Sequence, residues 1–347
     1  MDQSDPAASP TLAGQMLIIE GAKIPVQHRD MDLEDVRLDP HNPRIQHAVR
    51  QKSNGRTLTQ DELRDLILDL PGVSDLFKSI RDNEGLLEPI YVRPNGHVIE
   101  GNCRAACYLK LHNITIRNNS KDNRWKKIAA VFVPKISDRQ VAVLQGHYHV
   151  AGKNKWLAYE KAGHLHMMHS TLKMDEKAIA KALGMREGEV KKNLDSYQVM
   201  TEKLLPKMKN GNGLEKWSFV QEFFKRKHLE DFRSKPSNVD QFVSLVVTNK
   251  LKRGTDVRKF EKIVKHPRAL EKLKKDGVES AMTVVGNLDP TANSTTFKKL
   301  KEATRLLLRL QGADLEKLRE NEKTQAILRE LFQAVSDAAK TAGVKLR

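Results

Sequence analysis

Two cysteines, Cys103 and Cys107, are all the thiol the 347-residue sequence holds. They sit one helical turn apart on an expected helix, which rules out a disulfide framework and leaves too few thiols for a zinc knuckle, so no metal site is expected. Aromatic residues are also scarce, at 5%, which argues against a large all-β sandwich or a sugar-stacking surface. Long apolar runs are missing. The longest cover residues 128–134 and 242–248, far short of the ~18 residues of a membrane span, so neither a transmembrane helix nor a membrane partner is expected. The first residues, MDQSDPAASP, lack the basic-then-apolar profile of a signal peptide. The expectation is a soluble protein of a reducing, cytoplasmic compartment.

What is abundant is positive charge. Lys and Arg number 61 against 44 Asp and Glu, a net of +17. The excess is local: residues 1–150 carry +1, 151–200 carry +3, 201–275 carry +11 and 276–347 carry +2. A concentrated positive field suits a polyanion, because neutralising phosphates releases counterions. A lysine-rich solvated helical surface is the competing reading.

The patterning places a polar leader with Pro6 and Pro10 at 1–15, then short strands at 16–19, 24–26 and 36–38. Asp39-Pro40-His41-Asn42-Pro43-Arg44 reads as a turn, since two prolines forbid a ladder. A polar loop is expected at 46–58. Thr59 with Glu62 is a capping box opening a helix, and 73–83 is a second helix. Strands 89–93 and 97–100 flank Pro94-Asn95-Gly96, a hairpin signal. A helix follows from Asn102, then a buried strand at 128–133. Beyond it the sequence reads as helices at 137–147, 154–169, 175–183, 187–200, 214–230, 238–248, 256–264, 268–276, 295–310 and 314–341. The expected class is a small α+β domain with a mixed sheet over 16–135, a helical module over 136–205 and a basic all-α region over 206–347.

The most informative segment is Val98-Ile99-Glu100-Gly101-Asn102-Cys103-Arg104. A strand runs through glycine into a helix N-terminus, where orphan amides and the dipole favour phosphate or carboxylate. Arg104 is placed to bind the same anion bidentately. Glu100 is readable as a Mg²⁺ ligand or general base, or as a structural partner of Arg104, the role the spacing favours.

Pro89-Ile90-Tyr91-Val92-Arg93, the turn, and Val98 through Leu111 resemble the N-terminal domain of the ParB/sulfiredoxin superfamily. The turn Leu38 to Arg44 resembles that family's opening box. The family signature G-E-R-R-x-R-A is kept at Gly101 and Arg104, with Asn102, Cys103 and Ala106 where members place Glu and two Arg. His149, Gly152 and Trp156 resemble an H-x-x-G-x-x-x-W box of a divergent branch, with Lys153 or Lys155 supplying charge. Trp156 in the core and solvated lysines form the competing reading. The similarity spans roughly residues 24–200. It implies a pocket for CTP or ATP with Mg²⁺ built from Arg44, Gly101, Asn102, Arg104, His149 and Lys153. The superfamily's reactive cysteine position is Asn102 here, so a reductase role is not expected.

Residues 176–194 have the spacing of a helix-turn-helix. Ile179 and Leu183 point inward, Ala180 is small, Gly184 turns the chain and Val190 anchors the second helix. Its exposed candidates are Arg186, Glu189, Lys191, Lys192 and Asn193, with the lysines suited to phosphates and Arg186 and Asn193 to base edges. A plain antiparallel helix pair is the alternative. The basic region adds non-specific backbone contacts, with Trp217, Phe219, Phe223 and Phe224 read as core. Asn321 and Gln325 interrupt the apolar stripe of the last helix, which favours packing over a coiled coil.

Two functions of different class follow. One is a ParB-like DNA-binding protein, a partition or regulatory factor on nucleoid or plasmid, gated by nucleotide, homodimeric and served by a partner ATPase. The other is a nucleotide-dependent nuclease, NTPase or kinase of the same superfamily, in a mobile-element or phage-defence setting, with Glu100 as its catalytic group. An adaptor binding an acidic protein is a third.

Overall fold

A computed structural model of the chain describes residues 15–119, 121–151, 156–209, 213–289 and 294–344. The architecture is α+β: a five-stranded mixed sheet and a long succession of helices. Two compact units cover residues 1–261 and 262–347.

In the first unit the strands are β1 (Gln15–Ile19), β2 (Ala22–Asp32), β3 (Ile90–Val92), β4 (Val98–Glu100) and β5 (Lys127–Phe132), in the order β1-β2-β5-β3-β4. Strand β2 is longer than its short apolar stretch suggests. Its first half pairs antiparallel with β1 and its second half, from Gln27, with β5. Polar Gln27 to Asp32 is recruited by the ladder of a neighbour rather than by its own pattern. Strand β3 runs parallel to β5 and antiparallel to β4. The hairpin between β3 and β4 turns at Gly96, whose φ is +82° and where an added Cβ would overlap the Asp35 carbonyl oxygen, so no side chain fits. The short strand expected at 36–38 is a single bridge from Arg37 to His97.

The helices before the hairpin are α1 (Gln46–Ser53), α2 (Gln60–Leu68) and α3 (Val73–Asp82). The capping box holds: Thr59 Oγ1 accepts from the Glu62 amide at 3.2 Å and Glu62 Oε2 from the Thr59 amide at 2.9 Å. Helix α1 takes the first eight residues of the loop expected at 46–58, and 54–58 stay turn and coil. Only Val49 packs on the core, while Gln46 Nε2 donates to the Pro40 carbonyl at 2.7 Å. Helix α4 (Asn102–Arg117) leaves β4 through Gly101. Then come α5 (Asp138–Gly146), one π-turn at His147–Ala151, α6 (Ala158–Ser170), α7 (Glu176–Leu183) and α8 (Glu187–Gln198). The unit continues through α9 (Trp217–Lys225), α10 (Glu230–Arg233), α11 (Pro236–Val247) and α12 (Asp256–Ile263), which crosses into the second unit.

Alternation along the strands divides the core between the two faces of the sheet. Ile90, Val92, Val98, Ile128 and Ala130 bury against α2, α3 and α4 with Leu63, Ile67, Ile80 and Leu111. Ile24, Val26, Ile99, Val131 and Val133 bury with Val143, Leu165, Ile179, Leu183, Val190 and Leu194. The α7–α8 pair is therefore packed into the core of the sheet's second face. Phe223, Phe242 and Phe260 form a third apolar centre, with Phe223 stacked on Phe242 at 3.9 Å. These phenylalanines are core.

The second unit contains α13 (Pro267–Asp276) and α14 (Val278–Leu288), which pack together. The segment of α14 falls outside the helices expected from the sequence. Next are α15 (Thr295–Leu307), α16 (Gly312–Glu320) and α17 (Glu322–Thr341). The single helix expected at 314–341 is split at Asn321, which adopts extended backbone and caps α17 by accepting from the Lys323 amide at 2.9 Å. None of the described residues of α15, α16 and α17 is buried.

Candidate functional site

The turn from β4 into α4 is built around Gly101. Its φ is +96°, and a Cβ there would lie 2.8 Å from Ile90 Cγ2 and 2.9 Å from Arg104 Nε. Only glycine lets the strand enter the helix at this angle with the Arg104 guanidinium folded back over it. The first-turn amides of α4 have no helical acceptor. The turn borders a cavity of about 680 Å³ lined by Arg44, Glu88, Glu100, Gly101, Arg104 and His149, among others. That volume lies within the ~300–1,000 Å³ of ordinary small-molecule sites.

Arg104 is already engaged. Its Nη1 donates to Glu88 Oε2 at 3.1 Å and to the Glu88 carbonyl at 3.2 Å, and its Nη2 lies 3.4 Å from Glu100 Oε1. The other oxygen of Glu100 accepts from His149 Nε2 at 2.7 Å. A carboxylate only accepts, so this nitrogen carries the proton. The His149 ring stacks on Trp156 at 4.5 Å and 18°. Trp156 is itself 8% exposed and still lines the cavity.

Behind Trp156 lies His164, with ring centroids 4.7 Å apart. Its Nε2 donates to the Ala142 carbonyl at 2.8 Å, and burial lowers its pKa to about 4, so it is neutral at pH 7.

Asn102 is buried, and its carboxamide ties the opening turn to the helix. Its Oδ1 accepts from the Asp39 amide at 2.9 Å and its Nδ2 donates to the Val98 carbonyl at 3.4 Å. Arg44 reaches across from that turn to Cys103 Sγ at 3.1 Å and to the Pro71 carbonyl at 3.4 Å. Burial pushes the Cys103 thiol up despite this guanidinium, and pushes Cys107 to about 12. Both thiols are therefore held protonated, the opposite of what a nucleophilic cysteine needs. Lys153 lies outside the described residues.

The structure thus brings Arg44, Glu100, Gly101, Asn102, Arg104 and His149 to one cavity. Glu88 and Glu160 also line it, and no spacing in the sequence pointed to them. The cavity wall carries the guanidinium groups of Arg44 and Arg104 against the carboxylates of Glu88, Glu100 and Glu160. A free polyphosphate would meet more negative than positive charge. Among the described residues no cluster of three His, Cys, Asp or Glu side chains is arranged to hold a metal ion. Mg²⁺ commonly arrives on phosphates and needs only one or two carboxylates, so the donor set fits a metal carried by a nucleotide.

The α7–α8 pair turns at Gly184, φ +63°, with Asp175 capping α7 through the Ala178 amide at 2.7 Å. Val190 is fully buried, while Arg186, Glu189, Lys191 and Lys192 are exposed. Glu189 pairs with Lys161 at 2.8 Å. Asn193 is half-buried and its Nδ2 donates to the Glu189 carbonyl at 2.8 Å, so part of its amide is used within the helix. From Arg186 to Gln198 three cations face three carboxylates, a net of zero.

Among proteins of known structure the chain is similar to ParB proteins. One is the C-terminally truncated chromosome-partitioning protein ParB from Caulobacter crescentus complexed to the centromeric parS site, 13% identical, covering 62% of this chain and 98% of that one at a TM-score of 0.28. The same protein complexed with CTP-γ-S is 13% identical, covering 64% and 99% at a TM-score of 0.21. A Pnob8-like ParB-N domain is 13% identical, covering 88% and 97% at a TM-score of 0.28. No family model matches the sequence, and no curated protein matches it.

Proposed function

We propose that this chain is a ParB-like DNA-binding protein, a partition or regulatory factor, whose N-terminal cavity takes CTP or ATP with Mg²⁺ and biases the grip of α8 on duplex DNA. The observation that carries the reading is a single physical connection. The cavity-lining strand residue Ile99 shares a core with Ile179, Leu183 and Val190 of the helix pair. Gln145, also on the cavity wall, donates to the Ile99 carbonyl at 2.9 Å. Its neighbour Gly146 lies so close to α7 that a Cβ would meet Leu183 Cδ2 at 2.5 Å. A ligand that shifts β4 or the end of α5 therefore pushes directly on α7. In this reading α7 and α8 form a helix-turn-helix, with Lys191 and Lys192 on phosphates and Arg186 on a base edge. The test is calorimetry of CTP and ATP, each with MgCl₂ and with EDTA, in the presence and absence of duplex.

A second copy of the chain completes the reading. Ile327, Leu328, Phe332 and Val335 of α17 stand 67%, 42%, 71% and 44% exposed, an apolar stripe that association would cover.

The enzymatic alternative, an NTPase or nuclease, draws on the 2.7 Å contact between His149 and Glu100 in the cavity. A carboxylate–imidazole pair is a general-base arrangement. Loss of CTP, ATP or DNA turnover in Glu100→Gln supports it, and absence of turnover with any divalent metal removes it.

A further inference from the structure

Resting on the DNA-binding reading, we infer that the larger share of the phosphate grip comes from a cationic face made by the end of α9 and the outer side of α12, centred on Arg258 with Lys225 and Lys227. Helix α8 with Arg186 carries no net charge, so Lys191 and Lys192 give it two phosphate contacts and a larger grip needs cations elsewhere. Residues 201–261 carry 14 cations against 8 carboxylates, and α9 packs directly on α8.

The arrangement at this face is layered. Glu222 on α9 and Glu261 at the end of α12 lie low, with side chains 14% and 16% exposed. Above them stand Arg258 at 61% and His228 at 71%. Arg258 Nε donates to Glu222 Oε1 at 3.0 Å. This contact fixes the guanidinium while its two terminal amino groups have no acceptor among the described residues. A guanidinium held by one edge and open at the other is prepared for a phosphate fork, with less side-chain entropy to lose. Arg226 is used differently: it bridges Glu222 and Glu261, and its Nε is buried without an acceptor. Lys225 and Lys227 flank it, exposed and with no ion pair among the described residues. A helix C-terminus attracts about half a charge of cation, which accounts for one of these side chains and leaves the others as surplus. Cations above and carboxylates beneath make a surface that is positive outward, the form a phosphodiester backbone requires.

The full chain and a random-sequence duplex provide the test. Affinity is measured by fluorescence anisotropy across a salt series for wild type and for K225A/K227A/R258A. With about 0.9 of slope per neutralised phosphate, the slope of log Kd against log salt falls by about 2 to 3 in the variant. Its Kd at low salt rises roughly tenfold. K225A/K227A alone touches no internal contact and keeps the test open if the triple variant misfolds; its slope falls by about 2. A wild-type slope retained in both variants overturns this inference and leaves the α8 reading standing. A wild-type chain that binds no duplex, or that binds anionic phosphatidylserine vesicles and not duplex, overturns both.

Discussion

Glu100 sits against Arg104 on the wall of the cavity proposed for nucleotide, held by His149 on its other oxygen. Replacing it with glutamine keeps the shape and removes one negative charge from the cavity wall. For a partly buried, screened group that is worth on the order of 1 kcal/mol, so Glu100→Gln binds Mg²⁺–nucleotide roughly fivefold more tightly by calorimetry. Weaker binding in that variant means the carboxylate serves the ligand directly. His164 yields a second expectation. Its imidazole is buried neutral, with a pKa near 4 against 6.5 in the unfolded chain. The unfolded state therefore binds the proton first as pH falls. Stability is unaffected above about pH 6.5 and declines toward pH 4, by on the order of 3 kcal/mol in all. Urea unfolding at pH 7.5 and pH 4.5 reads this loss, and His164→Gln flattens it.

At the scale of elements, legibility followed how local the determinants are. The capping box at Thr59 and Glu62, the turn at Gly96 and the start of α4 at Gly101 are set by residues a few positions apart, and each stands where its residues put it. Helix α1 was hidden because Gln46–Ser53 carries little apolar periodicity and is tied down by Pro40 from outside itself. Half of β2 was hidden because β5, a hundred residues away, supplies its ladder. The same logic separates the cavity residues. Gly101 and Arg104 belong to one segment, whereas the contacts of Arg104 with Glu88 and of Arg44 with Cys103 bridge distant parts of the chain and leave no spacing to read. For the helix pair, Lys191 and Lys192 are exposed while Val190 stays in the core, so the two lysines can be changed without touching the packing. K191A/K192A is expected to fold normally and to weaken duplex binding roughly tenfold at low salt in an electrophoretic shift assay. Unchanged affinity removes α8 from the interface.

At the scale of the whole molecule, charge and apolar surface are segregated along the chain. The sheet and its helices are nearly neutral, the positive excess begins after residue 200, and the last helices expose an apolar stripe. Sedimentation equilibrium of the full chain is expected to give the mass of a dimer, and Phe332→Glu on that stripe to return it to a monomer. The central claim is that cavity and helix pair are energetically joined through Ile99, Gln145 and Leu183. Linkage makes such coupling reciprocal: if nucleotide changes the affinity for duplex by some factor, duplex changes the affinity for nucleotide by the same factor. The most direct measurement is calorimetric titration of CTP and ATP with MgCl₂ into the chain, alone and saturated with duplex. At least one of the two is expected to bind, with a Kd that shifts by about fivefold or more when duplex is present. No binding of either nucleotide, or one Kd unchanged by saturating duplex, would contradict it.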